Sequence, residues 1–145
     1  MKPLLIYAGA ILLVLAAILG CSTAGDGGGS ANADFTVSVT TKIDGDHPYF
    51  GEGSSFGYVI NGDQGRELTL QRGVTYTFSV NTPGHPFYFS TDSVGQGAGE
   101  VQNGVTGSKT TNGTVTFTPD DSHPDLLYYQ CGIHANMGWM INIVS

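Results

Sequence analysis

The segment that decides the fold runs Tyr128-Tyr129-Gln130-Cys131-Gly132-Ile133-His134-Ala135-Asn136-Met137-Gly138-Trp139-Met140-Ile141. It enters on alternation, with Leu127, Tyr129 and Cys131 on one face. It leaves on a second alternating run, in which Ile141 and Ile143 oppose Asn142 and Val144. Between these two strands a thiol, an imidazole and a thioether stand three residues apart, so one short loop can aim all three at one point.

Period-two alternation recurs upstream, in Phe35, Val37, Val39; Leu68, Leu70; Tyr76, Phe78, Val80; Phe87, Phe89; and Val115, Phe117. Turn pairs separate these runs at Asn61-Gly62, Arg72-Gly73, Pro83-Gly84, Asn103-Gly104 and Asn112-Gly113, residues that tolerate the backbone of tight turns. No helical stripe longer than a turn or two is found, and no internal repeat. Asp92 to Thr111 reads as a long Gly-, Ser/Thr- and Asn-rich connection crossing between sheets. The expectation is an all-β sandwich of seven to eight strands.

Length and charge narrow the function classes. A chain of 145 residues with a leader leaves room for one domain of roughly 110 residues. Lys and Arg number 5 against 12 Asp and Glu, and without Lys2 the balance is 4 against 12. So acidic a chain does not suit nucleic acid, whose phosphates demand a basic surface.

Met1-Lys2-Pro3 followed by the apolar run Leu4 to Leu19 has the layout of an export signal. Ile18-Leu19-Gly20-Cys21 resembles the bacterial lipobox, which implies cleavage before Cys21, lipidation of that cysteine and anchoring by several acyl chains. Ser22 stands where the inner-membrane retention signal would place Asp, favouring the outer membrane of the cell envelope. The competing reading is an uncleaved transmembrane anchor, since the apolar stretch approaches spanning length. The expected organisation is a signal peptide over residues 1–20, a flexible Gly/Ser-rich tether over 21–33 and the globular domain over 34–145. With Cys21 lipidated, Cys131 is the sole cysteine of that domain, and an unpaired thiol in an oxidising compartment must be deeply buried or bound.

Soft sulfur ligands with imidazole select copper, and two His with one Cys and a weak axial Met form the blue-copper arrangement. His85, at the start of the Phe87/Phe89 strand, supplies the second imidazole. Here the sequence resembles the cupredoxins, Greek-key β-sandwich copper proteins, over most of Phe35 to Ser145. The Cys131-x₂-His134-x₂-Met137 spacing is similar to the short amicyanin ligand loop, whereas the plastocyanin spacing would place the axial ligand at Trp139, which cannot bind copper. The resemblance implies one type 1 copper ion with His85, Cys131 and His134 equatorial and Met137 axial, Met140 being the substitute. Two departures stand out. Pro86 replaces the Asn whose N–H commonly bonds the cysteine sulfur and has none to give. Trp139 is a large ring beside the loop, placed either to cover the copper or to dock a partner.

Bland alternatives exist for each residue. Cys131 alone could be an inert buried thiol, and His85 a hydrogen-bonded strand end. His47 and His123, each before a proline in polar surroundings, read as surface histidines. Zinc is disfavoured because its sites seldom use Met. A Cys-His nucleophile lacks an orienting carboxylate or oxyanion hole, so no enzyme is expected. The binuclear copper domain needs a second loop cysteine, and copper oxidases need more histidines.

The resulting expectation is a lipid-anchored cupredoxin moving single electrons between redox partners. Its exposed edge would be His134 ringed by Ile133, Ala135, Met137 and Trp139, facing a basic redox partner such as a cytochrome. The alternative is a copper-holding or copper-delivering lipoprotein, or a cupredoxin-like domain kept for interaction alone. A third reading is an adhesive or structural lipoprotein.

Overall fold

The computed structural model describes residues 33–145. The signal peptide expected over residues 1–20, Cys21 and residues 22–32 of the expected tether lie outside the described residues. Among those described there is no helix; the chain forms an all-β sandwich of ten strands. They are β1 (Phe35–Thr41), β2 (Phe56–Ile60), β3 (Asp63–Gln64), β4 (Leu68–Gln71), β5 (Tyr76–Asn81), β6 (Phe87–Ser90), β7 (Val105–Thr106), β8 (Asn112–Phe117), β9 (Leu126–Cys131) and β10 (Trp139–Val144).

Six strands form one sheet in the order β3-β2-β1-β5-β8-β7, and four form the other in the order β4-β10-β9-β6. Both sheets are mixed, because β1 runs parallel to β5 and β10 parallel to β4 while the remaining pairs are antiparallel. The seven alternating runs of the sequence are all strands. The additional three are β2 and two short pairings, β3 and β7. Asn61 and Gly62, with φ of 49° and 92°, make the two-residue turn joining β2 to β3, where both central residues need positive φ. Asn112 and Gly113, expected in a turn, instead open β8 opposite Asn81 and Val80.

The inner faces meet in an aromatic core. Phe78, Phe87, Phe89, Phe117, Tyr58 and Tyr129 are fully buried, with Phe89 stacked on Phe117 at 4.8 Å and edge-on to Phe78 at 5.1 Å. Burying side chains of this size contributes roughly 1.5–3 kcal/mol each and fixes the two sheets face to face. The long connection expected at Asp92 to Thr111 has a physical task. β6 is an edge strand, and this segment covers it: Phe87 N–H donates to Thr110 O (3.0 Å) and Lys109 N–H to Phe87 O (2.7 Å). The edge that presents the first histidine is therefore closed.

Candidate metal centre

Thr82-Pro83-Gly84-His85 forms a tight turn, His85 N–H donating to Thr82 O at 2.9 Å. Proline pre-sets the second position, and Gly84, at φ 79°, takes the third, which demands positive φ. The turn delivers His85 to the mouth of β6. Its carbonyl is then held twice, by the Thr82 hydroxyl (2.8 Å) and the Tyr58 hydroxyl (2.9 Å).

Cys131 ends β9 directly across from Phe87 of β6, in a position with no solvent exposure. The following loop is held by neighbours far away in sequence. Gly132 N–H donates to Pro86 O (2.8 Å), Gln96 N–H to Cys131 O (2.9 Å), Ser54 N–H to Ala135 O (2.9 Å) and Asn136 N–H to Val94 O (2.8 Å). Asn136 adopts φ 58°, a left-handed conformation that asparagine tolerates and that turns the chain inward at Met137. Tyr58 N–H donates to Met137 O (2.7 Å), and Gly138 N–H to the buried Gln130 Oε1 (3.0 Å). Pro86 offers no N–H to the sulfur, but its carbonyl fastens the ligand loop.

Three donor atoms result. His85 Nδ1 and His134 Nδ1 lie 3.1 Å apart, and Cys131 Sγ lies 3.6 Å from His134 Nδ1 and 4.0 Å from His85 Nδ1. These residues are the one candidate metal cluster of His, Cys, Asp or Glu among the described residues. The triangle fits an ion: in its plane, a point about 2.0 Å from both nitrogens falls about 2.2 Å from the sulfur, close to the ~2.0 and ~2.3 Å of imidazole and thiolate bonds to a first-row metal. The same nitrogen of each ring faces inward, and no carboxylate intrudes. Burial, and secondarily the neighbouring His134, lowers the pKa of His85, so its lone pair is free at neutral pH. Burial, followed by the neighbouring Cys131, pushes Tyr58 upward, keeping its phenol protonated as a donor.

Met137 is fully buried and belongs to the same core cluster as Cys131. Met140 does not suit an axial role: it alternates with the core-packed Trp139 and Ile141 and so points to the opposite face of β10. The expected apolar rim changes. Met137 is buried and so does not lie on the rim, while Trp139 is half-buried, packed against the core and edge-on to Tyr49 at 4.9 Å. Exposed apolar side chains here include Ile133, beside His134 in sequence, Phe56, whose ring lies 5.4 Å from that of His85, and Val94, whose carbonyl accepts from Asn136 N–H.

His47 and His123, read as surface histidines, are buried at 3% and 6% exposure. Both rings meet polar partners in place of solvent. His123 Nδ1 lies 3.0 Å from the Asp120 N–H and 2.8 Å from the Asp120 carboxylate, while Nε2 meets Asn103 O (3.1 Å). His47 Nδ1 accepts from Tyr49 N–H (3.1 Å) while Nε2 meets Met137 O (3.1 Å). Tyr58 was not singled out in the sequence, and neither was Gln130. The signal for Tyr58 was only a short, largely apolar run, Gly57-Tyr58-Val59-Ile60.

Comparison with known proteins adds the following. A family model described as the At5g54830-like domain matches residues 30–145. No curated protein matches the chain. Among solved structures, rusticyanin from Thiobacillus ferrooxidans is similar, at 16% identity over 74% of this chain and 75% of that one, with a TM-score of 0.43. A variant of rusticyanin is similar at 19% identity over 75% of this chain and 74% of that one, with a TM-score of 0.42.

Proposed function

The chain belongs to the At5g54830-like domain family, and from the geometry of its metal centre we propose that it is a copper protein carrying single electrons between redox partners. The observation that carries this reading is the triangle of His85 Nδ1, His134 Nδ1 and Cys131 Sγ. Two imidazoles and one thiolate match the trigonal set of blue copper sites, and Met137, buried in the same core cluster as Cys131, would supply the weak thioether ligand. Bound there, copper supplies a one-electron couple.

The protein's own residues do the rest. Cys131 is sealed from water, which protects the thiol from oxidation and excludes competing ligands. His85 and the loop from Cys131 to Gly138 are each held by several hydrogen bonds, so the donor set would change little between oxidation states. His134, half-buried beside the exposed Ile133, is the exit to a partner. With 12 acidic against 5 basic side chains, a partner with a basic face, such as a cytochrome, is favoured electrostatically. The lipobox-like leader suits a protein exported and anchored through Cys21 to the cell envelope. A copper-delivery role is less well served, because delivery needs a sulfur that an acceptor can reach.

The test is a visible absorption spectrum of the full chain titrated with Cu(II) and then reduced with ascorbate. An intense thiolate-to-copper band that bleaches on reduction, returns on oxidation and is lost in Cys131→Ser supports the reading. A colourless, folded protein sinks it.

A further inference from the structure

We propose that His47 is a positioning residue for the metal centre, fixing the depth of Met137 by a hydrogen bond from its Nε2–H to the Met137 carbonyl. The inference rests on the copper reading above and adds a residue to it.

The tautomer follows from the contacts. Tyr49 N–H donates to Nδ1 (3.1 Å), so in the neutral ring the proton sits on Nε2, which faces Met137 O at 3.1 Å. That carbonyl also accepts Tyr58 N–H at 2.7 Å. Both lone pairs are occupied, by groups from two different segments, and the backbone at Met137 has no freedom to rotate without orphaning a buried donor. The main chain of Met137 is thus bonded on one side to β2 and on the other to the loop before it.

Two independent features aim the imidazole. Gly57, in β2, leaves room for it: a Cβ at that position would come within 2.6 Å of His47 Nε2. Lys42 shapes the loop carrying it, its buried ammonium donating to Tyr49 O (2.9 Å) and Glu52 O (2.6 Å). A cation in that position curls residues 42–52 so that Tyr49 N–H meets the ring. A histidine buried only to fill space would need neither the glycine clearance nor a polar partner on the ligand loop.

An axial thioether binds copper weakly, so its distance is set by the protein rather than by the metal, and that distance tunes the potential. Releasing the Met137 carbonyl should therefore change the ratio of Cu(II) to Cu(I) affinity about tenfold, which is about 59 mV for a one-electron couple. The experiment compares full-length wild type, His47→Leu, His47→Gln and Gly57→Ala. Leu removes the donor, Gln keeps an amide donor close to the original Nε2, and Ala at 57 displaces the ring without touching a ligand. Visible spectra and potentials of the copper-loaded proteins are read beside amide exchange of the metal-free ones at Tyr58, Asn136 and Gly138. The expected result is a shifted potential and at least tenfold faster exchange at these amides in His47→Leu and Gly57→Ala, with His47→Gln close to wild type and β9 amides unchanged. If His47→Leu does not fold, Gly57→Ala against His47→Gln carries the same contrast. Wild-type potential and exchange in the donor-free variants overturn the inference while a coloured wild type leaves the copper reading standing. A colourless wild type overturns the copper reading instead, and the exchange data then decide the positioning of Met137 by themselves.

Discussion

Gly138→Ala is the sharpest perturbation available at this site. Gly138 follows Met137 and leads into β10, and a Cβ there would fall onto the Tyr129 carbonyl, 2.6 Å from its carbon and 2.9 Å from the Tyr129 ring. Carbon atoms ordinarily meet at about 3.5 Å or more, and the carbonyl oxygen lies closer still, so something must move by more than roughly 1 Å. Tyr129 cannot yield, because it is fully buried and paired on both sides, with Phe89 of β6 and Trp139 of β10. The loop must yield instead. That breaks the bond from Gly138 N–H to Gln130 Oε1, orphaning a buried amide oxygen at about 1–3 kcal/mol. Overpacking adds about 1–3 kcal/mol. The expected loss is about 2–6 kcal/mol, a large share of the 5–15 kcal/mol typical of a domain. Urea unfolding of the metal-free protein followed by Trp139 fluorescence measures it, since this is the single tryptophan in the chain. Gly73→Ala is the control: it has open space at its Cβ but φ 78°, so its cost is confined to about 1–2 kcal/mol of left-handed strain. A Gly138→Ala protein within about 1 kcal/mol of wild type refutes the steric argument.

Two further outcomes follow from the same surroundings. Burial holds His47 and His85 below the ordinary histidine value of 6.5, so below that value the unfolded chain binds protons that the folded one does not. Stability of the metal-free protein is then greatest above about pH 6.5 and falls as pH drops from there. The denaturation midpoint should be lower at about pH 5 than at about pH 7.5; equal midpoints contradict the burial of these rings. The depressed carboxylates Glu100 and Asp120 act only below their ordinary values of 4.5 and 3.8, outside that window. Separately, Tyr58→Phe should cost only about 1 kcal/mol, because Thr82 still donates to the His85 carbonyl. Adding Thr82→Val should cost more than the sum of the two singles by denaturation, and strict additivity would show that the two hydroxyls do not share one acceptor.

The Cys131-x₂-His134 pair was legible because its chemistry is local, two donors three residues apart, and His85 because it stands at the start of the alternating Phe87/Phe89 run; the structure brings these three together. The strands were legible wherever one face is buried and the other is not. β2 escaped for a physical reason. Its buried positions run Gly57, Tyr58 and Ile60, and the glycine is buried because the His47 ring lies on it, so the alternation is broken by a contact from outside the strand. His47 and His123 do lie in turns beside prolines, as their surroundings suggested. What sequence could not supply is that each turn folds back onto the sandwich and gives both ring nitrogens polar partners, main-chain groups at His47 and main-chain groups with the Asp120 carboxylate at His123.

The hydrogen bonds of the ligand loop also bear on the choice between carrying electrons and delivering metal. From Cys131 to Gly138 the backbone is tied to Pro86, Val94, Gln96, Ser54 and Tyr58, and to the Gln130 side chain, so most of the loop's anchors lie on segments distant in sequence. Such a loop has its donors placed before any ion arrives, and opening it to surrender the ion would break several buried bonds at once, each costing about 1 kcal/mol or more. A delivery protein gains from a loop that opens readily and a sulfur that a recipient can attack. A carrier gains from the reverse, because an electron moves fastest when the donor atoms need not. The sealed Cys131 and the multiply tied loop are the arrangement a carrier requires.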